Sequence, residues 1–235
     1  MKIALCLSGQ PRFLDEGYAH IYEHLLSKYS LDCFIHTWWS PDMGGRNINT
    51  TGMANPQGRS YIFPHNTLEK MSQYYSPKAF IHESQKSFNI IDGVCFQQPN
   101  KTSSVQSMWY SVKMANQLKS EYEKKNGFVY DIVIRSRTDV MIYKLVLDNL
   151  TESDCIYTDC VGAERDFPND QLAVSTSHNM DYYASLYDNL ISYRNEGFIE
   201  FVGERLLRHH IEKINIKLRY TTDIANDIYK NDGGT

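Results

Sequence analysis

Arg135, Arg137 and Asp139 stand at alternate positions just past an apolar run, Ile132-Val133-Ile134. Branched residues that would be apolar on both faces predict a strand covered on both sides. In an extended chain the three charged side chains share one face, with Ser136 and Thr138 on the other. Charges at the end of a buried strand are costly unless something pairs with them. In open α/β sheets the carboxyl ends of the strands form the crevice where ligands bind. Guanidinium forks placed there match phosphate oxygens, and the carboxylate suits a hard divalent cation bridging those phosphates. The alternative is an Arg–Asp pair that only stitches strand ends together.

A second candidate follows the apolar run Lys2 to Leu7, in Ser8-Gly9-Gln10-Pro11-Arg12. Gly9 lets the backbone come close to a ligand, Pro11 stiffens the loop, and Arg12 sits near the start of a helix, whose dipole favours anions. The segment suits a phosphate or nucleotide cradle, although it is neither a Walker loop nor a dinucleotide fingerprint. A third candidate is His36-Thr37-Trp38-Trp39, where paired tryptophans past a strand end either stack on a sugar or base or cap the core. His20 and His24, four apart on a helix, lack an acid or third ligand and read as a solvated face, as do His209 and His210.

The elements that would position these groups alternate. Lys2 to Leu7 reads as a strand. Tyr18, Ile21, Tyr22, Leu25 and Leu26 form one face of a helix, and Leu31 to Thr37 is a second strand, completing a βαβ crossover and predicting a parallel sheet. Ser40 to Ser60 has no periodicity and is expected to be a flexible lid or acceptor loop. Asn66 to Tyr75 predicts a short helix and Lys78 to Ile81 a short strand, with residues 84 to 101 irregular. A long helix capped by Ser103 or Ser104 ends near Gly127 and leads into the central strand. Asp154 to Thr158 and Leu172 to Ser175 predict strands, Met180 to Ile191 a helix, and Leu207, Ile211 and Ile214 a last helix. Residues 1–230 read as one α/β domain, with a mixed, mostly parallel central sheet and helices on both faces. Asn231 to Thr235 reads as a disordered tail.

The whole-chain numbers exclude several classes. At 235 residues, with 42% hydrophobic and 22% charged content, the chain reads as an ordinary soluble globular protein. A formal charge of −4 without a long basic run argues against a nucleic-acid partner. Cys6, Cys33, Cys95, Cys155 and Cys160 form an odd set without a C-x-x-C pair, so neither a disulfide framework nor a zinc knuckle is expected, and Cys6 and Cys33 read as reduced core residues. The opening apolar run is too short for a signal peptide, and no stretch approaches the length of a membrane span, so a cytoplasmic location is expected. The sequons at Asn49, Asn100 and Asn149 are then chance matches.

Ser8-Gly9-Gln10-Pro11-Arg12, Phe34-Ile35-His36-Thr37-Trp38, Arg135-x-Arg137-x-Asp139 and Asn169-Asp170-Gln171 occur in that order. In this the chain resembles GT-A-fold glycosyltransferases of the type found in bacterial lipopolysaccharide and capsule clusters and in large viruses and phages. The resemblance covers roughly residues 1–215. It implies a Rossmann-like half that holds a nucleoside-diphosphate sugar and a second half that takes a glycan acceptor.

By the same resemblance, Ser8, Gly9 and Arg12 lie along the nucleotide. Asp139 matches the last acid of the D-x-D element that holds Mn²⁺ or Mg²⁺ on the diphosphate. The first acid of that element is replaced by Arg137, so Arg135 and Arg137 can supply positive charge that a metal would otherwise bring. Asp170 matches a general base on the acceptor side, with Glu204 as the alternative base and a local turn role as the alternative for Asp170. Trp38 and Trp39 are the acceptor-binding candidates. Two other readings stay open: a catalytically degenerate domain that binds a glycan or nucleotide-sugar, and a sugar nucleotidyltransferase, which a lone Gly9 disfavours.

Overall fold

Ile3, Leu5 and Leu7 pack on one side of the first strand and Ala4 and Cys6 on the other, and all five are buried. This double burial sets the architecture, because a strand apolar on both faces needs cover on both. A computed structural model describes residues 1–50, 58–89, 91, 93–95, 98–99, 102–161, 167–214 and 216–228. Its elements in order are β1 (Ile3–Gly9), α1 (Leu14–Ile21), β2 (Asp32–Trp38), β3 (Asn47–Thr50), β4 (Arg59–Ile62), α2 (Thr67–Tyr75) and β5 (Ala79–Glu83). There follow the two-residue strands β6 (Val94–Cys95) and β7 (Gln98–Pro99), then α3 (Thr102–Asn126), β8 (Ile132–Arg137), β9 (Val140–Leu145), β10 (Cys155–Val161) and β11 (Phe167–Ser175). The last are α4 (Ser177–Ala184), α5 (Leu186–Asn195), α6 (Gly203–Glu212), β12 (Lys217–Tyr220) and β13 (Ile224–Ile228).

Seven strands form one mixed, mostly parallel sheet in the order β12-β10-β11-β8-β1-β2-β5. β1 pairs in parallel with both β2 and β8, with Cys6 opposite Arg135 and Ser8 opposite Arg137 and His36. Only β11 runs against its neighbours, pairing antiparallel with β8 and β10. α1 and α2 cover one face with the β9–β13 ribbon, and α3 to α6 cover the other. The connection after β1 thus crosses one face while the helix leading into β8 crosses the opposite one. The carboxyl ends of β1 and β8 therefore form the topological switch point of the sheet, where open α/β sheets bind ligands.

Several elements depart from the sequence reading. The Ser40 to Ser60 loop is in part a hairpin, with β3 and β4 paired from Asn47↔Ile62 to Thr50↔Arg59. It packs Trp39, Met43 and Phe63 into a small core of its own. Residues 51–57 of that segment, like the expected tail at 231–235, lie outside the described residues. Met180 to Ile191 is two helices meeting at Ser185, not one. β9, β12 and β13 were not expected: β9 follows directly on the charged turn, β12 has no buried residue, and β13 places polar Asn226 at a buried position. Cys6, Cys33 and Cys155 are free and buried, and no helix among the described residues is long and apolar enough to cross a membrane.

Candidate functional site

Arg12, Arg137 and Asp139 meet at the switch point. β8 ends at Arg137, and Thr138 and Asp139 turn the chain towards β9. Arg137 grips Asp139 with two bonds, Nε to Oδ1 at 2.6 Å and Nη2 to Oδ2 at 2.8 Å. Arg12, from the loop after β1, adds Nη2 to Oδ2 at 3.1 Å. The Arg–Asp pairing that the sequence left open is therefore present, with two guanidinium groups on one carboxylate.

Burial is the largest influence on Arg137 and opposes its charge, yet the charge and hydrogen bonds of Asp139 outweigh it and hold the guanidinium above its ordinary pKa. On Arg12 burial prevails and lowers the value despite Asp139.

α1 presses on the turn that carries Asp139. A Cβ at Gly17 would lie 1.8 Å from the Thr138 carbonyl oxygen. Thr138 in turn donates its hydroxyl to the Gln10 carbonyl at 3.0 Å, tying the turn to the loop after β1.

That loop is held from below. Gly9 has φ +112, a conformation that side-chain-bearing residues rarely adopt. Its N–H donates to Ser111 Oγ at 2.8 Å and its carbonyl accepts from Thr37 Oγ1 at 2.8 Å. The Gly9 backbone thus bonds to the protein itself; its role is to shape the loop. Ser111 Oγ also lies 2.7 Å from His36 Nδ1, and His36 Nε2 lies 3.1 Å from Glu83 Oε1. Burial depresses the pKa of His36 more than Glu83 raises it. Neutral His36 therefore donates from Nε2 to Glu83 and accepts from Ser111. The Glu83–His36–Ser111 chain has the look of a nucleophile relay, but His36 and Ser111 are fully buried and the Ser111 oxygen accepts from the Gly9 N–H. Phe13, which closes the loop, sits in the left-handed region at φ 47, strain of the kind that gathers at ligand sites.

Arg135 lies two residues deeper along β8 than Arg137, on the same face, and is 2% exposed. Among the described residues its Nε and Nη1 have no hydrogen-bond partner, and the same holds for Arg12 Nε, Ser8 Oγ and the Tyr183 hydroxyl. Burial lowers the pKa of Arg135, and the nearby Tyr183 and Asp170 only partly offset it. A guanidinium stays charged even so.

Asp170 lies inside β11, not in a turn before it. Because β11 runs against β8, its first residues reach the edge where β8 ends. Asp170 is 7% exposed and has no hydrogen-bond partner among the described residues; its charge acts on both Arg135 and Arg137. Its Oδ2 packs against the first residue of α6, where a Cβ at Gly203 would lie 2.1 Å away. The helix dipole favours a carboxylate there. Nothing in the sequence pointed to Gly203, Ser111 or His36 as supports; the one available cue was a glycine opening a helix.

The tryptophans are placed otherwise than acceptor binding would need. Trp38 is 2% exposed and stacks on Tyr110 at 5.4 Å, while Trp39 is 6% exposed and packs on Phe63 at 5.9 Å. Neither offers a ring face to a sugar, so core capping is the role they fill. His210 is not on a solvated face either. It is fully buried, with Nδ1 2.5 Å from the Tyr193 hydroxyl and Nε2 2.7 Å from the Tyr182 carbonyl.

The expected Mn²⁺ or Mg²⁺ does not fit these residues as they are arranged. A hard divalent cation wants carboxylate oxygens with open lone pairs. Both oxygens of Asp139 are engaged by guanidinium N–H groups about 3 Å away, whose charges would repel a cation. Among the described residues the one three-ligand group is Glu152, Asp154 and Cys155. It lies at the start of β10, on the opposite edge of the sheet, and its acids already pair with Arg219 and Lys217.

The fold and the edge define a Rossmann-like α/β domain with an arginine-rich site at its switch point. No protein-family model matches the chain, and no curated protein is significantly similar to it.

Proposed function

We propose that the protein is a glycosyltransferase that moves a sugar from a nucleoside-diphosphate sugar to a hydroxyl of a glycan acceptor. The observation that supports this most is the presence, at one switch-point edge, of an arginine cluster and of a carboxylate, Asp170, whose charge acts on it but which makes no hydrogen bond among the described residues. Arginines suit the leaving diphosphate, and the lone carboxylate suits the entering hydroxyl.

In the reaction the acceptor oxygen forms a bond to the anomeric carbon as the bond from that carbon to the diphosphate oxygen breaks. The electron pair leaves with the diphosphate, and Arg12, Arg135 and Arg137 stabilise the charge that builds there. Asp170 accepts the proton of the attacking hydroxyl. Ser8 and Gly9 shape the floor beneath the nucleotide, and Asp139 holds the two outer arginines in register. No step requires a nucleophilic side chain.

The test is nucleotide release from a panel of UDP-, GDP- and dTDP-sugars in the presence of glycan acceptors. Asp170→Asn is expected to lower kcat by about 10²-fold or more with little change in donor KM. Turnover that survives Asp170→Asn would remove Asp170 as the base. Donor binding without release, across the panel, would favour the degenerate binding-domain reading.

A further inference from the structure

Asp139 stands where the resemblance places a metal ligand, yet Arg12 and Arg137 occupy it. Three guanidinium groups against two carboxylates, the engaged Asp139 and the nearby Asp170, still leave a surplus of positive charge at this edge, before any ion arrives. Arg137 directs Nε and Nη2 at Asp139, and Arg12 directs Nη2; five N–H donors per guanidinium leave the others for a ligand. Arg135 is the more telling group. A buried guanidinium whose Nε and Nη1 have no hydrogen-bond partner among the described residues is costly, and that cost is relieved when an oxyanion reaches it. The whole cluster is preorganised, since Asp139 sets both outer forks and the Gln10–Thr138 and Gly9–Ser111 bonds set the loop.

We propose that the diphosphate of the donor is bound without a divalent cation, its oxygens held by Arg12 and Arg137, which Asp139 orients, and by the unpartnered N–H groups of Arg135. The inference rests on the glycosyl-transfer reading for the identity of the ligand. Asp139 is then a positioning residue, not a metal ligand. The arrangement explains why the first acid of the D-x-D element can be an arginine: the residue that would share the cation supplies the charge itself.

Isothermal titration of the full chain with UDP, GDP, CDP, ADP and dTDP, each in EDTA and in Mn²⁺ or Mg²⁺, tests this. At least one nucleoside diphosphate is expected to bind with a Kd that changes less than fivefold between the two buffers. Arg135→Met and Arg12→Ala are each expected to weaken that binding at least tenfold in EDTA. Arg12 is the more exposed of the two, so its variant carries the test should Arg135→Met fail to fold. Unchanged affinity in a folded variant overturns the proposal. Affinity that falls more than fivefold in EDTA also overturns it, and leaves the glycosyl-transfer reading standing. No binding of any nucleoside diphosphate in either buffer overturns both.

Discussion

Gly17→Ala probes the contact that sets Asp139 against Arg12. The added Cβ would lie 1.8 Å from the Thr138 oxygen, 2.9 Å from its carbonyl carbon and 3.3 Å from the Asp139 Cα. All three are backbone atoms, so no side chain can rotate aside. α1 and the turn must separate by about 1.6 Å to bring that 1.8 Å contact to ordinary van der Waals spacing. Overpacking of this kind costs about 1–3 kcal/mol, and a rigid obstacle puts the cost at the upper end. Alanine's helix propensity returns about 1 kcal/mol. The net loss is about 2 kcal/mol, which for a chain of this length lowers Tm by about 4–8 °C. Urea unfolding and thermal melts measure it. A Gly17→Ala protein as stable as the parent would refute the argument.

Gly203→Ala provides the contrast. Its Cβ would meet Asp170 Oδ2 at 2.1 Å and Met108 Cε at 2.9 Å, both ends of side chains that can swing away. Stability should change by less than about 1 kcal/mol, while displacement of Asp170 should lower turnover more than donor affinity.

Two further outcomes follow from buried polar groups. Burial pulls the pKa of His210 down from 6.5 to about 4. The unfolded chain therefore takes up a proton below pH 6.5 that the native protein refuses until about pH 4. Stability from this group is fully present above pH 6.5 and declines through that window, by about 3 kcal/mol in all; a His210 ring signal titrating near 6.5 by NMR would refute this. Ser111→Ala strands the Gly9 N–H and His36 Nδ1. It should cost about 1–3 kcal/mol and weaken nucleoside-diphosphate affinity, and an unchanged Tm and Kd would show that the relay does not hold the loop.

The local signals that were readable in the sequence are those that depend on near neighbours. Alternating and continuous apolar runs identified β1, β2, β8 and β10 to within a few residues, because double burial demands apolar residues on both faces. Helical spacing located the helix after β1 and α3, and the βαβ order predicted a parallel sheet. The same patterns brought out Arg12, Arg135, Arg137 and Asp139 as residues at or just past strand ends, whereas Asp170 was singled out only by the resemblance.

What the sequence could not decide was pairing. Trp38 and Trp39 read equally as platform or core, because burial depends on α3 and on a hairpin distant in the chain. The partners of Asp139 come from 127 residues away and from two residues away, and only the first needs the fold. Asp170 reached the arginine edge because β11 reverses direction, which no periodicity announces. Gly17 and Gly203 gained their meaning from backbone and side chains that approach from other elements. β9 and β13 pair only with each other; β9 buries Val140, Met141 and Ile142 in succession, while β13 puts a polar residue, Asn226, at a buried position. Residue type and spacing thus selected the chemistry, and the long-range packing of the sheet decided which charges face each other and which carboxylate makes no hydrogen bond among the described residues.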